Sequence, residues 1–251
     1  MSHRLRWSGP LLAGIGFVAA WQLIVWAGGY PDYILPDPLR VFGRFLEAWA
    51  DGTMWPHFEA TLAAVLLGFA VGALAALPTG YVLARSRIAN RVLSPYLVAA
   101  QATPILALAP LIALWFGSGL LSRVIICALI VYFPVAVSTL VGIQTVDGRL
   151  LELGRAYRAT RLQRIAKLEA PAALPSIFGG LRIGVTLAVV GTIVAEWSGG
   201  ERGLGILINL ARGSLFDIPL MFATLMTIGL IGVALYAVVL LVERRYAIPA
   251  A

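Results

Sequence analysis

Five long stretches of this chain contain no Asp, Glu, Lys or Arg: those between Arg6 and Asp32, Glu59 and Arg85, Arg91 and Arg123, Arg123 and Asp147, and Asp217 and Glu243. Each is longer than the roughly 20 apolar residues that cross about 30 Å of hydrocarbon. A sixth, from about Pro175 to Trp197, carries only Arg182 before Glu196. Backbone polar groups in lipid must be paired inside helices or closed barrels, and the alternating pattern of barrel strands is absent. The chain is therefore expected to be an all-α polytopic membrane protein with six spans. Composition agrees: 60% of residues are apolar and 12% charged, too little polar surface to cover a soluble core.

The first apolar stretch, Pro10 to Ala27, follows Arg4 and Arg6 as a signal peptide would. It is longer than a usual signal core and lacks a small-x-small cleavage site, so it reads as a retained helix. The net charge of +7 sorts by side of the membrane. With the N-terminus inside, Arg4, Arg6, Arg85, Arg87, Arg91, the run from Arg149 to Arg182, Arg244 and Arg245 face the cytoplasm. Only Arg40, Arg44, Arg123, Arg202 and Arg212 face out, which follows the positive-inside rule. Both termini are expected in the cytoplasm, and the basic balance calls for no nucleic acid. The single Cys127 allows no internal disulfide and no cysteine-based metal site.

Between the first two spans, PDPLRVFGRFLEAWADG places Leu39, Phe42, Leu46 and Trp49 at helical spacing, with Asp37 at a cap and Pro38 at the first helical position. This predicts an external amphipathic helix at the membrane boundary or against the bundle. The second span, Thr61 to Leu83, has Gly68 and Gly72 four apart, a spacing that lets helix backbones approach closely. The third, Tyr96 to Phe116, contains Pro104 and Pro110 and is expected to be bent or partly unwound. The fourth, Val124 to Ile143, contains Pro134; the last two run from Ser176 to Trp197 and from Met221 to Val242.

Between spans four and five lies DGRLLELGRAYRATRLQRIAKLEAPAALPSIFGGLR, a basic segment inside an otherwise lipid-soluble chain. Glu152 to Arg158 holds helix formers and no breaker. Thr160 with Gln163 fits a capping box that starts a second short helix at Arg161. That helix is expected to end near Ala170, because Pro171 disfavours helical geometry in the residue before it. Arg155, Arg158, Arg161, Arg164 and Lys167 recur every three residues and so drift around the axis. On physics alone, a solvated loop obeying the positive-inside rule accounts for them equally well.

The order of residues here resembles the cytoplasmic coupling loop of binding-protein-dependent ABC importer permeases, often called the EAA loop. Glu152-Leu153-Gly154 stands at its acidic-small-small start, and Leu168-Glu169-Ala170-Pro171 at its apolar-x-x-Pro end. Arg158 stands where that family has glycine, so the inter-helix turn is expected to do without a left-handed residue, which would cost about 1 kcal/mol or more. The resemblance extends along most of the chain, through Leu35-Pro36-Asp37-Pro38, Pro78-Thr79-Gly80, Ala107-Leu108-Ala109-Pro110, Val194-Ala195-Glu196 and Gly203-Leu204-Gly205. It is similar to the permeases for nitrate, sulfonates, taurine, riboflavin and pyrimidine precursors.

The resemblance implies the type I ABC importer permease fold: six transmembrane helices and a cytoplasmic coupling loop, multi-pass in a bacterial inner membrane. Residues 1–60 would form an N-terminal transmembrane helix with its external amphipathic helix, and 61–251 a five-helix permease core including the coupling loop, 147–175. The implied partners are a second copy of the chain, two ATP-binding cassette ATPase subunits, an external solute-binding protein, membrane lipid and a small solute. No cofactor is expected in this chain, since ATP and Mg would be bound by the ATPase subunits. The sequence itself has no phosphate-cradling GxxxxGK followed by Ser or Thr, no HExxH and no GxSxG, so it is not expected to be an enzyme on its own. His3 and His57 are expected to be solvated.

Candidate ATPase contacts are Glu152, Gly154, Arg155, Arg158, Thr160, Arg161, Arg164 and Pro171. Candidates for a solute path along the bent spans are Gln101, Thr103, Pro104, Ser138, Thr139, Thr186, Thr192 and Glu196, of which Glu196 can also reach the outer interface. No carboxylate sits near the centre of a span, which disfavours proton- or sodium-coupled transport. A stand-alone secondary transporter or channel, and a non-transporting scaffold subunit, remain the alternative readings.

Overall fold

The computed structural model describes residues 5–102 and 104–246; Thr103, His3 and both chain ends lie outside them. Those residues form helices and no strand. In order they are α1 (Leu5–Gly28), α2 (Pro38–Ala50), α3 (Met54–Arg85), α4 (Arg87–Ala102), α5 (Ile105–Phe116), α6 (Leu120–Gln144), α7 (Gly148–Ala156) and α8 (Arg161–Arg164). A π-helical turn, Ile165–Glu169, leads into α9 (Ala170–Trp197), followed by α10 (Leu204–Gly213) and α11 (Ile218–Tyr246).

Among the described residues, four helices are long and apolar enough to cross a bilayer: Met54–Arg85, Leu120–Gln144, Arg161–Trp197 and Ile218–Tyr246. The expected third span is divided. α4 stops at Ala102, Pro104 adopts φ −70° and ψ 89°, and α5 starts at Ile105. Proline removes a ladder hydrogen bond and clashes with the preceding turn, and here the helix breaks. Pro78, Pro110 and Pro134 are carried inside continuous helices. α3 begins at Met54, so the division expected after residue 60 falls within this helix.

The centre of the molecule is α6, packed between α3 and α9. Glycines let the three backbones touch. A Cβ on Gly72 of α3 would lie 2.6 Å from the Ala128 carbonyl oxygen of α6, and one on Gly180 of α9 would lie 2.5 Å from Ser138. Gly68 meets Cys127 in the same way, so the spacing of four between Gly68 and Gly72 marks a true helix contact. Val65, Ala76, Cys127, Val131, Val135, Ala188 and Val189 fill the seam.

α2 begins as its sequence requires, with the Asp37 side chain accepting from the Leu39 amide at 2.7 Å and Pro38 in the first turn. Its orientation differs from the apolar stripe. Val41 and Ala48 are buried, while Leu39, Phe42 and Leu46 are exposed. The helix is held by Arg44, which donates to Asp217 at 2.7 Å near the start of α11. The apolar stripe thus points away from the core, Leu39 and Phe42 lining a groove against α1, and the shorter side chains allow the close contact. The Thr53 amide, donating to Asp51 at 2.8 Å, holds that carboxyl below its usual range just beyond α2. α1 meets the rest chiefly through Trp21 on Phe222 and a hydrogen bond from Gln22 to Asp37.

Replacing Gly72 with Val should lower stability by about 1–3 kcal/mol, because the opposing atom is backbone and cannot move aside cheaply. Gly229→Ala on α11, where an added Cβ meets nothing within 4 Å, should be neutral or stabilising. Thermal unfolding in detergent distinguishes the two.

Candidate functional site

The basic loop folds as a helical pair with one sharp corner. Asp147 caps α7 by accepting from the Arg149 amide at 2.9 Å. At the other end the Arg158 amide donates to the Arg155 carbonyl at 3.0 Å, and the Ala159 amide to the Gly154 carbonyl at 2.9 Å. This is the paired bond of a Schellman ending, which needs a left-handed residue between helix and exit. Arg158 supplies it, at φ 49°. The expectation that a non-glycine residue would abolish the left-handed turn is therefore corrected: the two bonds hold arginine in that conformation.

The capping box is present as expected. Gln163 donates its amide to the Thr160 hydroxyl at 3.3 Å, and the Thr160 amide donates to Gln163 Oε1 at 2.9 Å. The break expected near Ala170 is absent. α8, the π turn and α9 form one helix of 37 residues. The Ala170 amide donates five residues back, to the Ile165 carbonyl. The widened turn shifts the hydrogen-bond register and lets Pro171, which has no amide to donate, enter the first turn of α9.

Of the candidate ATPase contacts, Glu152, Arg155, Arg158, Thr160 and Arg161 are exposed; Arg164 and Pro171 are half-buried, and Gly154 is buried. Gly154 lies against Leu168, where a Cβ would come within 2.7 Å of its methyl group, so α7 rests on the π turn. The pair also exposes Tyr157 and Leu162, at 80% and 75%. Neither was singled out from sequence, although a large apolar residue between arginines is an available signal for a contact surface. A groove of about 310 Å³ lined by Leu153, Tyr157, Gln163 and Lys167 runs between the two helices.

The path candidates separate into two groups. Ser138 and Thr186 come together in a cleft of about 560 Å³ with Ser176, Arg182 and Tyr236, walled by Val137, Val141 and Ile183. Arg182 pairs there with Glu243 of α11 at 3.3 Å. Gln101 and Pro104, at the α4–α5 junction, are exposed but do not line it. Thr139, Thr192 and Glu196 are buried inside the bundle. Thr139 donates to the Val135 carbonyl in its own helix at 2.7 Å.

Glu196 does not reach an outer interface. It accepts from the Thr61 hydroxyl at 2.7 Å and the Gly205 amide at 2.7 Å, with the Arg123 guanidinium at 3.7 Å. The Thr61 hydroxyl in turn accepts from the Leu204 amide at 2.8 Å. His57, expected to be solvated, is half-buried and hydrogen-bonded to the backbone of Gly203. One carboxylate thus ties the start of α10 to α3, α6 and α9.

A second buried carboxylate, Glu169, lies in the π turn. It accepts from the Tyr81 hydroxyl at 2.9 Å and from Arg85 Nε at 3.1 Å, and pairs with Arg164 at 3.2 Å. Sequence reasoning did not select it. Its α3 partners stand more than eighty residues away along the chain, and no local pattern signals the meeting. Among the described residues, no group of three His, Cys, Asp or Glu side chains could hold a metal ion.

The family described as binding-protein-dependent transport system inner membrane component matches residues 68–248. The riboflavin transport system permease protein RibX of Chloroflexus aurantiacus is 47% identical, over 89% of this chain and 83% of its own length. The formylaminopyrimidine transport permease protein ThiX of Halalkalibacterium halodurans is 32% identical, over 94% of this chain and 93% of its own. The taurine transport system permease protein TauC of Escherichia coli is 29% identical, over 97% and 93% respectively. Among solved structures, the inward-facing MetNI methionine ABC transporter shares the fold, with a TM-score of 0.66 at 20% identity, covering 78% of this chain and 99% of that one.

Replacing Arg158 with Gly should stabilise the corner by about 1 kcal/mol, read as slower exchange of the Ala159 amide hydrogen. Glu196→Ala leaves the Arg123 charge without its partner and should cost about 3–5 kcal/mol. The loss should appear as a lower unfolding temperature and faster exchange of the Gly205 amide.

Proposed function

The chain belongs to the binding-protein-dependent transport system inner membrane components, the permeases of ABC importers, and on that premise we propose that two copies form the translocation path for a small solute. α1 and the α4–α5 pair complete six crossings with the four long helices, in a bacterial inner membrane with both termini in the cytoplasm. α1 and α2 form a peripheral unit, and the remaining helices the permease core. The solute is of the sulfonate, nitrate, taurine, riboflavin or pyrimidine-precursor class and is delivered by an external binding protein. Riboflavin is the first to test, because the relative at 47% identity is named for it.

The observation that carries this reading is the helical pair of α7 and α8. It is an exposed, basic, aromatic-tipped knob whose second helix runs without a break into α9. A shape with that continuity suits a cytoplasmic ATPase groove, with Glu152, Arg155, Arg158, Thr160 and Arg161 on its surface and Tyr157 and Leu162 as apolar anchors. ATP and Mg are bound, and ATP is hydrolysed, by two ATPase subunits. Their closure drives the permease pair between inward-open and outward-open states. Ser138, Thr186 and Arg182 supply the polar wall of the path, since an ionisable group within a span faces protein or a water-filled cavity in preference to lipid. α10, at the opposite end of α9, is the landing surface for the binding protein.

Reversing Arg155, Arg158 and Arg161 to Glu should release the ATPase in co-purification. The bundle should keep its unfolding temperature, because Arg155 and Arg161 are exposed, where substitutions change stability by about 0.5 kcal/mol or less, and Arg158→Glu exchanges one non-glycine residue for another in the same left-handed turn. Retained tight assembly would refute the docking surface. Solute flux through liposomes holding this chain alone would favour a stand-alone transporter or channel.

A further inference from the structure

Glu169 is 1% exposed, yet its neighbours reach it from three directions. Tyr81 and Arg85 stand one turn apart on α3, and Arg164 belongs to α8. Burying a carboxylate costs several kcal/mol, and apolar side chains of similar volume would hold these elements together at least as well. What apolar packing lacks is direction. A carboxylate with two guanidiniums and a hydroxyl around it fixes the relative orientation of every element that donates to it.

The π turn has its own part in this geometry. In an α-helix of 3.6 residues per turn, positions five apart such as Arg164 and Glu169 are separated by about 140° around the axis. Bonding five residues back narrows that angle and brings both side chains to the face that meets α3. π turns inside longer helices concentrate at functional sites. This one sets a bending point between α8 and α9, and the Arg164–Glu169 pair spans it.

We infer that Glu169 is the positioning residue that passes displacement of the α7–α8 pair to α3. α9 follows α8 while Glu169, paired with Arg164, braces the π turn between them; α3 follows because its last turn is tied to the same carboxylate. At the far end Glu196 joins the same two helices, through Thr61, to the start of α10. α3 and α9 therefore move as one body from the loop end to the α10 end. With Glu169 neutralised, Arg85 and Arg164 lose their shared counter-charge and repel each other, and motion at α8 is spent in bending at the π turn.

This rests on the reading of α7–α8 as the ATPase contact. The test uses the assembled permease–ATPase complex in lipid bilayers, with a spin label at Ala166→Cys or, separately, at Leu74→Cys on α3. Each site gives one distance between the two permease copies, and buried Cys127 is shielded from the label. Addition of ATP should change both distances in the wild type. In Glu169→Gln the Ala166 distance should still respond, while the Leu74 response should be largely lost. Glu169→Asp, which keeps the charge, should restore most of it.

Wild-type responses at both positions in Glu169→Gln would overturn the inference, as would loss of both, and so would a Leu74 distance that ATP does not change in the wild type. If Glu169→Gln does not accumulate, Arg85→Gln decides: a reduced Leu74 response supports the link, and an unaltered one overturns it. Failure of the wild-type ATPase to co-purify would instead sink the docking surface, so the two failures are distinguishable.

Discussion

Three helix backbones in contact set the terms for this fold. In a bilayer there is little hydrophobic drive between helices, so association depends on close packing. α6 achieves it on both sides, where Gly68 and Gly72 of α3 and Gly180 of α9 leave room for its carbonyls and small side chains. The seam is filled largely by Val, Ala and Cys. Such a stack brings the helices close, but glycine and alanine contacts offer little resistance to one helix sliding or rotating on another.

Polar groups sit where that weakness matters. Glu169 lies at the loop end of α9 and Glu196 at the α10 end, each nearly inaccessible and each bonded to α3. These two carboxylates stay near the ends of α9, where the dielectric cost is lowest, and between them Arg182 is paired with Glu243 of α11 at 3.3 Å. The bonds are directional, so they set register and rotation, which the glycine seam cannot. α9 thereby becomes a strut between a basic helical pair at one end and α10 at the other.

Much of this was legible along the chain. The charge-free stretches located α1, α3, α6 and α11, the stretch carrying only Arg182 located α9, and Asp37 with Pro38, Pro104 at the break, and Thr160 with Gln163 all acted as their local chemistry requires. The misreadings share one cause. Pro171 stops an isolated α-helix, but here it is accommodated by a π turn whose Glu169 is held by Tyr81 and Arg85 of α3. Arg158 is costly in a left-handed turn, but two backbone hydrogen bonds and the seat of Gly154 on Leu168 hold it there. His57 and Glu196 looked like boundary residues because nothing near them in sequence shows that α10 folds back over them.

The sequence by itself determined which segments are apolar enough to cross a membrane, where α2 and α8 begin, and that the basic charge gathers in one loop. Those properties depend on hydropathy and on side chains bonding within a few residues of themselves, and both can be read locally. Tertiary structure decided that α8 and α9 are continuous, that two acidic residues become buried ties to α3, and that Ser138, Thr186 and Arg182 share one cleft. Each of these requires groups from different helices to meet at hydrogen-bond or packing distance, and only the packed bundle brings them together.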